Sequence, residues 1–287
     1  MAQEIYLIIG ASGVSGQAAI AAVRNKRPEA IVVGTTSSEK DIAHCERTIH
    51  GINFKDADCV QKIIAALPNK PLIKMMAFIP AKGRVAMPAT KATAQQIKDS
   101  VTFSIVPMLK LISALKPEIT VCHSAFIQMP ILQEIYGAMN FTKYLMDDLA
   151  IKHPEKLKAI RFGIFDSDAL RGIQLLLERA LSSRMVDENN PFIFAWKKSG
   201  LNVAEWMKQY GAQCESEAFQ KEFNTPYRHT KPQDITRAYE HVLDGEKAPI
   251  INVIGNWLWT DNKLPALPPE VQKMADTLLP SLDDYLA

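Results

Sequence analysis

The chain has 287 residues, 47% of them hydrophobic, and its 33 basic and 31 acidic side chains leave a formal charge of +2. That length can bury a large core, as one elaborated domain or as a domain plus a lobe. The near-neutral balance gives no case for nucleic acid or an anionic membrane as partner, and no apolar run is long enough to span a bilayer.

In chain order, Ile5 to Ile9 is a buried-type strand that runs into Gly10-Ala11-Ser12-Gly13-Val14-Ser15-Gly16, and Gln17 to Val23 continues as a helix. A strand so close to the first residue predicts no cleaved signal peptide. Ala30 to Gly34 is a second strand, Asp58 to Leu67 a helix, and Leu72 to Phe78 a further strand. Lys91 to Leu115 is a long helical region broken near Pro107. Ile119 to His123 is a strand, Tyr136 to Ile151 a helix, and Leu157 to Phe162 a strand. Parallel neighbours need crossover connections, so this alternation predicts an α/β fold with a doubly wound parallel sheet of the Rossmann type.

After about Asp166 the pattern changes. Leu170 to Leu181 is an amphipathic helix, Asp187 to Pro191 a turn, and Val203 to Phe223 mostly helical. Asp234 to Leu243 is a helix and Ile250 to Gly255 a late strand. The expected division is a dinucleotide-binding domain over 1–166, rejoined by 228–256, and a small, mainly helical C-terminal substrate lobe over 167–227 and 257–287. Trp257-Leu258-Trp259 and Phe192 to Trp196 are candidate pocket walls, although large aromatics more often serve the core. Cys45, Cys59, Cys122 and Cys214 lie far apart and read as free thiols of a reducing compartment, which points to the cytoplasm. The six histidines show no metal-ligand spacing, so no metal site is expected.

The first turn carries chemistry. Gly10 allows the tight bend, Gly13 lets the backbone approach a pyrophosphate, and Gly16 lets helix and strand pack closely. With Ser12, Val14 and Ser15 they form a cradle whose first helical turn offers free N–H groups and a positive dipole end to an anion. Further along, the fifth strand ends Val121-Cys122-His123-Ser124, and twelve residues later Tyr136-Gly137-Ala138-Met139-Asn140 opens a helix.

Together these segments resemble the short-chain dehydrogenase/reductase family, which has a Gly-rich first turn, a Ser ending strand five and a Tyr-x-x-x-Lys on the next helix. Ala159 to Gly163 resembles the Arg-bearing strand of its extended members, and His229 to Asp234 with Ile251 to Gly255 resembles their late returning unit. The resemblance covers roughly residues 1–165 and 228–256. It implies hydride transfer from a nicotinamide to a carbonyl, with Ser124 orienting the oxygen and Tyr136 donating the proton. A phenol suits that role when a nearby ammonium lowers its pKa of about 10. The motif lysine is replaced by Asn140, a neutral amide. Lys143, two helical turns beyond Tyr136 and leaning back toward it, is the candidate substitute cation.

At the end of the second strand, Thr35, Thr36 and Ser37 followed by Lys40 suit a 2′-phosphate better than a bare 2′-hydroxyl, with Arg24 as a second cation. NADP is therefore the expected cofactor, with NAD the alternative. Asp56 resembles the family's adenine-contacting acid or else caps the following helix. Ala77, Phe78 and Ile79 end the fourth strand and should line the nucleotide crevice. The leading expectation is an NADP-dependent reductase of a carbonyl or enone in a small organic molecule. The family allows a homodimer. The alternatives are a catalytically silent NADP-binding regulator or scaffold, and a nucleotide-sugar epimerase or dehydratase.

Overall fold

A computed structural model describes residues 4–182, 190–279 and 282. The expected turn at Asp187 to Asn189 lies outside the described residues. The strands are β1 (Glu4–Ile9), β2 (Ile31–Thr35), β3 (Arg47–Ile49), β4 (Leu72–Phe78), β5 (Ile119–Ala125), β6 (Leu157–Phe162), β7 (Ile250–Ile254) and β8 (Trp257–Asp261). They form one sheet in the order β3-β2-β1-β4-β5-β6-β7-β8. Every pairing through β7 is parallel, and β8 returns antiparallel to β7. This is the Rossmann-type α/β architecture expected from the strand–helix alternation.

Helices cover both faces, which is why the central strands are continuous apolar runs. Side chains alternate between faces along β1. Leu7 and Ile9 join a core with α2 (Cys59–Ala66), α4 (Val106–Leu115) and α6 (Met139–Lys152). Tyr6 and Ile8 join the opposite core with α1 (Val14–Lys26) and α10 (Pro232–Leu243). The long helical region is split in two. Thr93 caps α3 (Ala94–Ser104) in a reciprocal box with Gln96, and Pro107 sits in the first turn of α4, where its missing N–H costs nothing.

The helix expected from Tyr136 is divided as well. Tyr136 ends a short α5 (Pro130–Ile135), and the chain turns at Gly137 before α6 starts. Gly137 has φ +47°, and a Cβ there would lie 2.5 Å from the Arg84 carbonyl oxygen. Only glycine meets both demands.

Beyond β6, α7 (Asp168–Ser182), α8 (Pro191–Ser199) and α9 (Val203–Phe219) pack around a third apolar cluster that includes Phe192, Ile193 and Trp257. Phe192 and Trp257 are core and do not wall the main cavity, and Phe194 of the same stretch is exposed. Two segments expected in the lobe lie elsewhere. Trp257–Asp261 is β8 of the main sheet, and α11 (Pro269–Leu278) packs Val271 and Ala275 beside Ile97 of α3 and Phe141 of α6. All four cysteines are free thiols, and Cys122 is fully enclosed within β5. No helix among the described residues is long and apolar enough to cross a membrane.

Candidate functional site

The cradle lies at the carboxyl end of β1. Gly10 has φ +80°, and a Cβ on Gly16 would sit 2.5 Å from Ala11 Cα and 2.6 Å from the Gly10 carbonyl oxygen. Both positions therefore exclude side chains. Gly13 is the N-cap of α1, and no side chain caps it, so the first-turn N–H groups stay available. Ser12 and Gly13 are exposed, while Gly13, Val14 and Ser15 form one wall of a cavity of about 450 Å³.

Thr35 stands behind the cradle, not in it. Its hydroxyl accepts the Gly10 N–H at 3.0 Å and its carbonyl accepts the Ala11 N–H at 2.9 Å. Thr36 is buried, and its hydroxyl accepts the Ser38 N–H at 3.2 Å. Ser37 and Lys40 are exposed beyond the end of β2. Arg24 is committed elsewhere: it is ion-paired to Glu46 and donates to the His44 and Ala30 carbonyls. It is thus no second cation for a 2′-phosphate. Asp56 is exposed, and its backbone carbonyl accepts the Cys59 N–H, while Asp58 occupies the cap position of α2. Ala77 and Phe78 are buried in the two cores, and only Ile79 of that trio reaches the cavity.

The opposite wall brings Ser124, Tyr136 and Lys143 to the same cavity as the cradle. Ser124 Oγ donates to the Lys143 carbonyl at 3.3 Å, so its proton must rotate away before it can serve a ligand oxygen. Tyr136 is half-buried, and the loss of water pushes its phenol up to about 12. Lys143 Nζ donates to the His123 carbonyl at 2.6 Å, and burial pulls the ammonium down to about 8. Burial alone sets the phenol's shift, so the expected lowering of Tyr136 by Lys143 is not seen in this arrangement.

Asn140 does not face the cavity. Its Nδ2 donates to the carbonyls of Leu132 and Gly137 at 3.0 and 3.3 Å, fastening the α5–α6 junction. Met139 and Lys143, four residues apart on one helix face, line the cavity instead. Lys143, three residues after Asn140, thus reaches the cavity, with the Met139 thioether one turn before it.

Sequence reasoning missed His123. It lines the cavity, its Nε2 is hydrogen-bonded to the Tyr239 hydroxyl, and burial together with the Lys143 charge pushes it down to about 3. It is neutral at physiological pH. Its place beside Ser124 at a strand end was the available signal.

No protein-family model and no curated protein matches the chain. Solved structures do. A short chain dehydrogenase family protein from Francisella tularensis subsp. tularensis SCHU S4 has a TM-score of 0.60 at 15% identity, over 88% of this chain and 97% of that one. A short-chain dehydrogenase from Streptomyces avermitilis has 0.55 at 15%, over 89% and 90%. The closed form of serine dehydrogenase complexed with NADP+ has 0.51 at 13%, over 87% and 94%. At such identities the likeness is one of fold.

Proposed function

We propose, for a chain with the short-chain dehydrogenase/reductase fold, that it is an NADP-dependent oxidoreductase reducing a carbonyl or enone of a small organic molecule. One observation carries the reading: the glycine cradle, Ser124, Tyr136 and Lys143 wall a single cavity of about 450 Å³. The cradle fits a pyridine dinucleotide, because the two glycine positions that must lack Cβ lack it and α1 opens on uncapped N–H groups. When bound, the nicotinamide would supply hydride. Ser37 and Lys40 are the groups that would meet a 2′-phosphate.

Tyr136 holds the proton that the reduced oxygen takes up. Its raised pKa keeps it protonated at neutral pH, and it remains a stronger acid than the alcohol it would form. Lys143 spends two N–H donors on the His123 carbonyl and the Met146 thioether and keeps the third for the cavity. Ser124 orients the oxygen after its hydroxyl turns from the Lys143 carbonyl. Water is held off by the apolar walls Leu132, Ile135 and Met139.

The test is an NADPH fluorescence titration joined to a panel of ketones, aldehydes and enones. NADPH should bind, and Tyr136→Phe should lower turnover by about 10²–10⁴-fold while leaving NADPH affinity unchanged. Equal turnover in the variant removes Tyr136 from the reaction. The raised Tyr136 pKa without a lowering cation, and Asn140 spent on backbone carbonyls, favour a second reading: an NADP-binding regulator. Tight NADPH binding with no turnover across the panel selects it.

A further inference from the structure

A second cavity of about 240 Å³ lies beside the first, and Ile164, Phe165 and Leu170 wall both. Its polar wall is made by Asp166, Gln174, Glu205, Lys208 and His229. Behind His229 runs a chain of groups that the proposed reduction does not use. Tyr227 Oη lies 3.2 Å from His229 Nδ1 and donates to Glu215 Oε2 at 2.9 Å. Glu215 is fully buried, and its other oxygen accepts the Ile164 N–H.

Proton counting fixes the imidazole. Burial raises Glu215 to about 7, so above that pH the carboxylate is ionised and only accepts, and the Tyr227 proton goes to it. The Tyr227 oxygen must then accept, and Nδ1–H of His229 donates. That leaves Nε2 as a bare acceptor, and among the described residues no protein group bonds it. The chain on either side of His229 is also anchored. Arg228 forms two bonds of 2.7 Å to Asp234, and Thr230 Oγ1 accepts the Gly255 N–H at 3.0 Å. A buried carboxylate is costly unless it is fully bonded. Here both its oxygens are occupied, one holding the shared wall and the other setting the histidine.

We propose that the second cavity is a distal subsite for the molecule bound in the first, and that His229, aimed by Tyr227 and Glu215, recognises a hydroxyl group at that molecule's far end. A hydroxyl donates to Nε2 and can accept from the Lys208 ammonium on the same wall. The inference rests on the carbonyl-reductase reading for what lies in the first cavity. His229 is a specificity-determining residue, and Tyr227 and Glu215 are positioning residues.

The experiment compares two methyl ketones of equal length whose far ends carry a hydroxyl or a methyl group. In the protein with NADPH, the hydroxyl ketone should have the higher kcat/KM, by about tenfold for one hydrogen bond. His229→Phe should erase that ratio. Histidine ring ¹⁵N spectra of the folded protein above pH 8, where Glu215 is ionised, give an independent readout. His229 should be the Nδ1–H tautomer in the wild type and shift at Nε2 with the hydroxyl ketone alone. Glu215→Gln reverses the chain, because its amide donates to Tyr227, and should convert His229 to the Nε2–H tautomer. An Nε2–H tautomer in the wild type, or an Nε2 signal indifferent to the hydroxyl, overturns the subsite. Absent turnover of both ketones with the Nε2 shift retained overturns the reductase reading and supports the subsite.

Discussion

Burial moves Tyr136 and Lys143 in opposite directions, and in each case it favours the neutral form. The phenol rises to about 12 and the ammonium falls to about 8. Around neutrality both still carry their protons, but the lysine is the first to lose one as pH rises. If its charge assists the reaction, turnover should fall as pH passes through about 8. In Lys143→Met that limb should vanish and the plateau should be lower. A pH profile of kcat/KM on any substrate found in the panel checks this, and an unchanged profile removes Lys143 from the chemistry. Ser124, Tyr136 and Lys143 were each readable as candidates because strand ends and helix starts are where α/β folds gather function. Asn140 was not readable. Whether an amide on a first helical turn faces a cavity or its own junction depends on the left-handed turn at Gly137.

Strands and helices of the parallel sheet were legible because burial on both faces leaves uninterrupted apolar runs. The elements that escaped lack that signature. β3 has three residues, with Arg47 exposed, and β8 ends in Thr260 and Asp261. β8 is held partly by charge. Arg161 on β6 donates to Asp147 of α6 at 2.8 Å, to Asp261 of β8 at 3.2 Å and to the Lys263 carbonyl at 2.7 Å. Arg161 and Asp147 are both buried, so removing one leaves the other uncompensated. Arg161→Met should therefore cost about 3–5 kcal/mol in chemical denaturation. A loss below 1 kcal/mol would show that the buried Asp147 does not depend on that guanidinium.

Across the whole molecule, buried acids set a pH dependence of folding. Glu215 is raised from 4.5 to about 7 by burial. A folded-state pKa above the unfolded one gives stability that is full below about 4.5 and lost as pH rises through about 7. His123, lowered to about 3, acts oppositely: its contribution is present above 6.5 and lost as pH falls toward 3. Glu215 is therefore best isolated by difference. Relative to wild type, Glu215→Gln should gain stability between pH 4.5 and 7, by up to about 3 kcal/mol. Parallel denaturation curves at all pH values would contradict the raised carboxyl. Nothing local in the sequence foretold this, since Glu215, Tyr227 and His229 meet only once the lobe has folded against the sheet.

The enclosure of Cys122 gives the molecule a built-in clock for its own opening. Its thiol is fully covered at the centre of β5 and burial pushes it up to about 12, so the reactive thiolate is suppressed while the sheet is closed. An alkylating reagent should mark it only when strands part, at a rate proportional to that rare event. A dinucleotide gripping the first turn would make the event rarer by the factor (1 + [L]/Kd). Slower labelling of Cys122 with added NADPH would then report occupancy without any substrate, and labelling as fast as in unfolded chain would mean that the sheet breathes locally at β5.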